Sequence, residues 1–239
     1  MKTYCITDKG LVRELNEDYY YLPRKGEYFA IVADGMGGHN AGEVASRLAT
    51  ETFASWLRLS KAGEEALQNA FMDANAKVLT EAAKDTSKSG MGTTLTAVWY
   101  TKKHVYLGHI GDSRAYRLRD GKIAQISSDH SYVAELVRNH LITPEKALTH
   151  PRRNVITRCI GVFARAEADI ERYDYKEGDV WFLCTDGLTG SVSDKEINAV
   201  LNSDLGWEEK LIKLKNMALE RGGTDNITMI AVTGGKADE

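Results

Sequence analysis

The sequence predicts an α+β fold of four layers, α-β-β-α, in which two antiparallel sheets stack face to face and helices cover their outer sides. Several strand-like runs are apolar at consecutive positions, as in residues 29–33 and 180–184, which is typical of strands buried on both faces. Other segments carry apolar residues at helical spacing, and such a stripe can cover one face of a sheet. A chain of 239 residues that is 43% hydrophobic can bury such a core, so we expect residues 1–239 to form a single domain.

The predicted strands are rich in β-branched and aromatic residues and are bounded by Gly, Asp or Asn. These runs are residues 28–35, 93–100, 104–112, 113–127, 179–187 and 226–232. Within the fourth run, Asp120-Gly121 separates two strand-like stretches, and Asp-Gly is a favoured pair in tight type I′ hairpins. The sequence therefore predicts antiparallel pairing at this point.

Three segments place apolar residues on one face of a helix. The stripes are Ala45, Leu48, Ala49, Thr52 and Trp56; Leu67, Ala70, Phe71, Ala74 and Val78; and Trp207, Leu211, Leu214 and Ala218. Two residue pairs have the spacing of a capping box, which satisfies free backbone N–H groups at the start of a helix. The pairs are Asn40 with Glu43 and Ser193 with Glu196, so we expect helices to begin there.

The stretch 129–158 differs from the rest of the chain. It is polar, contains Pro144 and Pro151, and shows only short helical periodicity near residues 133–137. Composition alone leaves two interpretations open, a flap over the edge of the domain and an ordinary surface excursion.

Charge and cysteine usage exclude several classes of protein. The net charge is −3 with acidic and basic residues interspersed, which argues against binding to nucleic acid or to an anionic membrane. The three cysteines, Cys5, Cys159 and Cys184, are an odd number without C-x-x-C spacing, which argues against disulfides and zinc. The first residues contain no apolar signal-peptide core, and no run of eighteen apolar residues follows. We therefore expect a cytoplasmic protein.

Acidic residues recur at the ends of the predicted strands. The segments are Asn16-Glu17-Asp18, Asp34-Gly35, Gly111-Asp112-Ser113, Thr185-Asp186-Gly187 and Thr224-Asp225-Asn226. Each alone is typical of a turn, but Asp34 and Asp186 both end apolar strands, which would bring their carboxylates to one rim of the core. Clustered carboxylates repel unless cations lie between them, and an all-oxygen ligand set favours Mg²⁺ or Mn²⁺. The sequence therefore predicts a divalent metal centre at this rim.

The glycine after Asp34 fits a metal site, because without a side chain the Gly35 carbonyl can approach an ion closely. The alternative is a phosphate-binding glycine loop. That alternative ranks lower, because residues 35–42 do not end in Gly-Lys-Ser/Thr and Asp34 would repel a phosphate.

An ordered set of motifs resembles the PPM family, the metal-dependent serine/threonine protein phosphatases of type 2C, and in particular its compact bacterial members. The motifs are RELNED (13–18), VADGMGGHNAGEVAS (32–46), GMGTTL (90–95), GHIGDSRAY (108–116), VITRCIG (155–161), LCTDGLTG (183–190) and GGTDNITMI (222–230). They span essentially the whole chain. The family fold, two antiparallel sheets between helical layers, agrees with the fold predicted above, and the family's variable flap falls at residues 129–158.

The resemblance implies a centre of two Mn²⁺ or Mg²⁺ ions. Asp34 would bridge both ions, the Gly35 carbonyl would bind one of them, and Asp186 and Asp225 would bind the other. In bacterial members, the position of Asp112 helps to bind a third metal together with Asp186.

The resemblance also implies roles around this centre. Asp18 and Glu17 would hold metal-bound waters, and Arg13 matches the phosphate-binding arginine, whose planar fork of donors suits a phosphoryl group. Many eukaryotic members carry a histidine proton donor where this chain has Met36. His39 is therefore an accessory candidate, and a metal-bound water is the simpler donor.

Three neighbours of these residues are expected to support the site. Asn226 would do so through local hydrogen bonds, and Thr93 and Thr94 would be structural strand residues.

The implied function is hydrolysis of phosphoserine and phosphothreonine on proteins by direct attack of a metal-bridging water, with no phosphorylated enzyme. The implied partners are phosphoproteins and a cognate serine/threonine kinase, and the chain would be a monomer. The competing hypothesis is a catalytically weak phosphatase-fold domain that binds phosphoproteins as a regulatory module. Acidic residues at every core metal position count against it.

Overall fold

The computed structural model describes residues 1–37 and 41–234, in which the chain forms eleven strands and seven α-helices. The strands are β1 (Lys2–Asp8), β2 (Asp18–Tyr21), β3 (Phe29–Met36), β4 (Gly92–Thr93), β5 (Leu95–Tyr100), β6 (His104–Ile110), β7 (Arg114–Arg119), β8 (Lys122–Gln125), β9 (Asp169–Asp174), β10 (Val180–Cys184) and β11 (Ile227–Thr233). The helices are α1 (Ala41–Leu59), α2 (Glu64–Ala82), α3 (Tyr132–Arg138), α4 (Pro144–Leu148), α5 (Asp186–Thr189), α6 (Asp194–Leu201) and α7 (Trp207–Glu220). None of the helices in the described ranges combines the length and the apolar character that a bilayer-spanning helix needs.

The strands form two antiparallel sheets. The first has the order β1-β11-β10-β7-β8, and the second has the order β2-β3-β5-β6-β9 with β4 paired to β3. One apolar cluster lies between the sheets and includes Val32 and Val98 of the second sheet and Trp181 of the first. A second cluster packs α1 and α2 on the second sheet, and a third packs α6 and α7 on the first. The predicted four-layer α+β sandwich is therefore confirmed.

Burial on both faces explains the consecutive apolar residues of the central strands. In β3, Ile31 faces the helical layer and Val32 faces the other sheet, and both are fully buried. Strands β1, β2 and β9 are not among the strands that the sequence predicts. All three are edge strands that mix polar and apolar residues, so they lack the apolar run of a central strand.

The predicted helices are present, with one change of face. All five stripe residues of α2 are buried, as are three of the four in α7. In α1 the buried face is rotated from the predicted stripe, because Phe53 and Leu57 are buried whereas Thr52 and Trp56 are only partly buried. Helix α6 begins after Ser193, whose N–H donates to Glu196 Oε2 over 3.1 Å, as the capping box predicts.

The Asp120-Gly121 turn joins β7 to β8 as predicted. Asp120 has φ of 51° and Gly121 has φ of 75°, and positive φ at both positions is what a type I′ turn requires. The stretch 129–158 contains α3 and α4, and its two ends meet through a bridge between Ser131 and Ile156.

Candidate active site

Two carboxylates of the predicted rim lie opposite each other on neighbouring strands. Asp18 begins β2 and pairs in register with Asp34 of β3. Directly opposed side chains of an antiparallel pair share one face, with Cβ atoms about 4.5 to 5.5 Å apart, and like charges there are destabilising. Thr185, at the end of β10, donates its hydroxyl proton to Asp18 Oδ2 over 2.9 Å. Because the Thr185 hydroxyl is neutral, its hydrogen bond does not compensate the negative charges of Asp18 and Asp34.

The backbone of Asp34 is held by two threonines. The N–H of Asp34 donates to Thr94 Oγ1 over 2.9 Å, and Thr93 Oγ1 donates to the carbonyl of Asp34 over 2.8 Å. Thr94 Oγ1 also lies 2.8 Å from Ser113 Oγ, beside Asp112. The threonines that the sequence predicts to be structural therefore fix the position of Asp34.

Thr94→Val should lower the free energy of unfolding by about 1 to 3 kcal/mol, because the substitution removes the acceptor of the Asp34 N–H. Urea denaturation followed by tryptophan fluorescence measures this change. Thr50→Val is the matched control, because the Thr50 hydroxyl is buried and has no hydrogen-bond partner within residues 1–37 and 41–234. The control should not lower the free energy of unfolding, because it removes a buried hydroxyl that has no partner in those ranges. Equal losses in the two variants would show that the Thr94 hydrogen bond contributes nothing.

Asp186 and Asp225 lie close together because the turn after β10 packs on the turn before β11. Asp186 is the first residue of α5, and Asp225 lies just before β11. A Cβ on Gly187 would lie 1.9 Å from the carbonyl oxygen of Asn226, so this packing requires glycine. Burial raises the pKa of Asp186, and the charge of Asp225 raises that pKa further.

Asp112 reaches the same rim from the end of β6. The preceding Gly111 has φ of 112°, and a Cβ on it would lie 2.4 Å from Thr94 Cγ2, so the turn requires glycine. Burial raises the pKa of Asp112 well above its usual range, and the charges of Asp186 and Asp129 act in the same direction. The charge of Asp186 therefore acts on the Asp112 carboxylate.

The rim carries more negative charge than the described protein groups neutralise. Burial raises the pKa of Asp34 well above its usual range, and the charges of Asp18 and Asp186 add to this effect. Three buried carboxylate oxygens have no hydrogen-bond partner in the part of the chain that is described, namely Asp18 Oδ1, Asp112 Oδ1 and Asp186 Oδ1. Such hard oxygen donors are the ligands that Mg²⁺ and Mn²⁺ prefer. The residues present therefore fit a divalent cation.

The carboxylates of the rim do not by themselves form a complete metal-binding site. Among the described residues, no group of three or more His, Cys, Asp or Glu side chains is arranged to hold an ion. Buried carboxylates repel one another, and one oxygen of Asp225 faces Arg13. A shared ion between Asp34, Asp186 and Asp225 therefore stays a prediction, and a carbonyl and waters would complete its coordination.

Asn226 holds the loop that carries Arg13. Its side-chain amide donates to the carbonyls of Lys9 and Leu15 over 2.9 Å each, and its Oδ1 accepts the N–H of Glu17 over 2.8 Å. The sequence predicts local hydrogen bonds for Asn226, whereas these bonds join it to a loop more than 200 positions away. The difference arises because β1 and β11 pair along their whole length and bring the two segments together.

Arg13 lies at the rim beside a carboxylate. Its Nη2 donates to Asp225 Oδ2 over 2.8 Å, and 48% of its side chain remains exposed. A guanidinium has five N–H donors, so one bond to Asp225 leaves donors for an incoming anion.

Comparison with known proteins identifies the family. A profile described as protein phosphatase 2C matches residues 12–227 of the chain. The chain is 36% identical over 234 residues to the serine/threonine phosphatase stp of Listeria welshimeri, covering 95% of this chain and 93% of that protein. This chain belongs to the protein phosphatase 2C family. It is also 34% identical over 244 residues to the protein phosphatase PhpP of Streptococcus pneumoniae, covering 100% of this chain and 99% of that protein.

A solved structure has the same fold. The catalytic domain of the serine/threonine protein phosphatase PstP matches with a TM-score of 0.86 at 35% identity, covering 96% of each chain, and that crystal structure is in complex with two manganese ions. As a member of the protein phosphatase 2C family, the chain is a metal-dependent protein serine/threonine phosphatase that acts on phosphoproteins. The alternative of a catalytically weak regulatory module is not favoured, because the relatives named as phosphatases match nearly the whole chain.

Glu17 contacts the first turn of α1. Its Oε1 accepts the N–H of Gly42 over 3.2 Å, so one carboxylate oxygen is already bound. A Cβ on Gly35 would lie 2.2 Å from the carbonyl oxygen of Gly42 and 2.5 Å from that of Glu17. Close packing of α1 on β3 therefore requires the glycine after Asp34, which is a different reason from the predicted approach of its carbonyl to an ion.

The structure describes Met36 but not His39. Met36 Cε would lie 3.6 Å from a Cβ on Gly92. A thioether there has no proton to donate. His39 and Asn40 lie outside the described residues, so the accessory role of His39 and the capping box of Asn40 stay predictions.

Sequence reasoning missed Thr185 as a site residue. Its hydroxyl accepts the N–H of Thr228 over 2.9 Å and donates to Asp18, so it joins β2, β10 and β11 at the rim. Its place directly before Asp186 was the one available signal, and that signal is weak because threonine is common in strands.

Proposed function

We propose that the acidic rim hydrolyses phosphoserine and phosphothreonine esters on proteins with two Mn²⁺ or Mg²⁺ ions. The observations that carry the proposal are the opposed pair of Asp18 and Asp34 and the three buried carboxylate oxygens, on Asp18, Asp112 and Asp186, that lack a partner within the described ranges. The manganese ions of the PstP catalytic domain, which shares the fold, support the choice of metal. A purified chain that releases no phosphate from a phosphothreonine peptide with Mn²⁺ or Mg²⁺ would contradict the proposal.

Each ligand has a proposed place. Asp34 would hold both ions, with the carbonyl of Gly35 as a ligand of one of them and Asp186 and Asp225 as ligands of the other. Asp112 and Asp186 would hold a third ion. Asp112 Oδ1 and Asp186 Oδ1 are both buried and have no hydrogen-bond partner within the described ranges, which supports a further ion between them.

Asp18 and Glu17 have supporting places in the proposal. Asp18 holds water through its unpaired Oδ1, because its Oδ2 is already bound by Thr185. Glu17 has one oxygen bound to α1 and one oxygen left for a water.

When bound, the ions lower the pKa of a water between them and neutralise the phosphoryl oxygens, so that water can attack the phosphorus in line. The chain itself supplies position and charge. Arg13 donates to the phosphoryl oxygens from the edge of the rim, and Thr93 and Thr94 keep the Asp34 backbone rigid. No side chain needs to carry the phosphoryl group, which agrees with the burial of Cys159 and Cys184.

Arg13→Ala should raise KM and lower kcat/KM for a phosphothreonine peptide by about 1.5 to 3 kcal/mol, because a charge-assisted bond to the phosphoryl group is lost. The apparent affinity for Mn²⁺ should change little. Arg47→Ala is the control, since Arg47 is a similarly exposed arginine that pairs with Glu51 on α1. Steady-state kinetics with an unchanged KM and kcat/KM in Arg13→Ala would reduce Arg13 to a surface ion pair with Asp225.

We also propose that the chain works as one catalytic domain and as a monomer in the cytoplasm, where it opposes a serine/threonine kinase. The three cysteines support a reducing compartment, because all of them are free. Size-exclusion chromatography with light scattering tests the monomer, and a stable dimer would contradict that part of the proposal.

A further inference from the structure

A single histidine binds both backbone groups of the residue before Asp112. The N–H of His130 donates to the carbonyl of Gly111 over 2.8 Å, and the N–H of Gly111 donates to His130 Nδ1 over 3.2 Å. The His130 side chain is 2% exposed, so water does not compete freely for these bonds. The turn that presents Asp112 is therefore fixed from one side by the start of the 129–158 stretch.

The orientation of the His130 ring is set by Asp169 at the start of β9. His130 Nε2 lies 3.0 Å from Asp169 Oδ2. Because Nδ1 accepts the hydrogen bond of the Gly111 N–H, the ring proton is on Nε2, which donates a hydrogen bond to Asp169 Oδ2. Without that carboxylate, the ring loses the partner that keeps Nδ1 directed at Gly111.

The neighbour of His130 holds the other side of the Asp112 turn. Asp129 accepts bonds from Arg114, with Nε 3.0 Å from each carboxylate oxygen and Nη2 2.7 Å from Oδ2. Arg114 lies two positions after Asp112. Two adjacent residues, Asp129 and His130, therefore bind a residue that follows and a residue that precedes Asp112, which we assign to the third ion.

The C-terminal end of the 129–158 stretch also binds Asp169. The N–H of Thr157 donates to the carbonyl of His130, and the N–H of Tyr132 donates to the carbonyl of Val155, each over 2.8 Å. Arg158 Nη1 then donates to Asp169 Oδ1 over 3.2 Å. Asp169 therefore binds both ends of the stretch, with one oxygen for each.

We propose that Asp129 and His130 are positioning residues for Asp112, and that Asp169 couples the 129–158 flap to the Asp112 turn. Displacement of the flap is transmitted to Asp112 through the bonds of His130 to Gly111. The catalytic consequence rests on the proposed function of Asp112, whereas the mechanical coupling does not.

Asp169→Ala tests the coupling, and Asp174→Ala is its matched control. Asp174 lies at the other end of the same strand pair, with Oδ1 3.2 Å from His104 Nδ1, far from the flap. Two rates are measured in each variant: amide hydrogen exchange of the peptide that contains Gly111, and tryptic cleavage after Arg152 and Arg153 in the flap. We expect both rates to rise roughly tenfold in Asp169→Ala and to stay unchanged in Asp174→Ala.

The kinetic readout separates positioning from loss of structure. Asp169→Ala should lower kcat for a phosphothreonine peptide more than for an aryl phosphate, the same pattern that we expect for Asp112→Ala below. Faster cleavage of the flap with unchanged exchange at Gly111 would overturn the coupling, and equal losses on both substrates would overturn the positioning role. If the native chain hydrolysed neither substrate, the proposed function would fail, and the exchange and cleavage rates alone would decide the coupling.

Discussion

Asp34→Asn should lower kcat/KM for a phosphothreonine peptide by roughly 10³-fold or more while the chain remains folded. The substitution keeps the size of the side chain and its backbone bonds to Thr93 and Thr94, but it removes the charge that we expect to bridge two ions. In the presence of a chelator the variant should be at least as stable as the native chain, because it removes one of several buried like charges. Steady-state kinetics and urea denaturation measure the two effects.

Asp179→Asn is the matched control for Asp34→Asn. Asp179 is also a buried carboxylate, but it lies at the opposite end of β10 and accepts two bonds from Arg119, of 2.7 and 2.6 Å. Its loss should lower the free energy of unfolding by about 1 to 3 kcal/mol and leave kcat/KM unchanged. Near-normal turnover by Asp34→Asn, or a loss of turnover by Asp179→Asn of similar size, would contradict the assignment of the rim.

Asp112→Ala should lower kcat for a phosphothreonine peptide by roughly 10²-fold or more, while the protein still binds two Mn²⁺ ions. The proposed ligands of the two ions, Asp34, Asp186 and Asp225, are untouched, since Asp112 comes from the end of a different strand. We expect Asp112 to serve the delivery of a proton to the leaving alkoxide through a water on its side of the rim, because Met36 has no proton to donate.

The choice of substrate tests this role of Asp112. An aryl phosphate releases a phenolate, which needs a proton less than the alkoxide of threonine does, so its hydrolysis should suffer less from Asp112→Ala. Calorimetric counting of Mn²⁺ with kinetics on both substrates makes the comparison. Equal losses on the two substrates would reject the proton-delivery role even if Asp112 were essential.

The central part of the fold could be predicted because its strands are buried on both faces. The apolar runs of β3 and β10 allow few other structures, and their lengths exclude long helices. The edge strands β1 and β9 could not be predicted, since each pairs on one side and carries polar residues along its length. The edge strand β8 is the exception, because Asp120-Gly121 marks its hairpin locally.

The positions of the aspartates near strand ends could be predicted, because Asp112, Asp186 and Asp225 lie next to strands and several aspartates adjoin glycine; their role as metal ligands stays a prediction. The supporting contacts could not be predicted, since Thr185 bonds Asp18 across 167 positions and His130 bonds Asp169 across 39. A short-range pattern carries no signal for contacts of this kind. The packing role of Gly35 could not be predicted either, because the atoms that exclude a side chain there belong to Gly42 and Glu17 in other segments.

Titration of the metal-free chain with Mn²⁺ by calorimetry, in parallel on Asp34→Asn and Asp179→Asn, tests most directly whether the acidic rim is the metal centre. We predict at least two ions per native chain, the same number for Asp179→Asn, and loss of this binding in Asp34→Asn. Native-like binding of two ions by Asp34→Asn, or no binding by the native chain, would contradict the assignment.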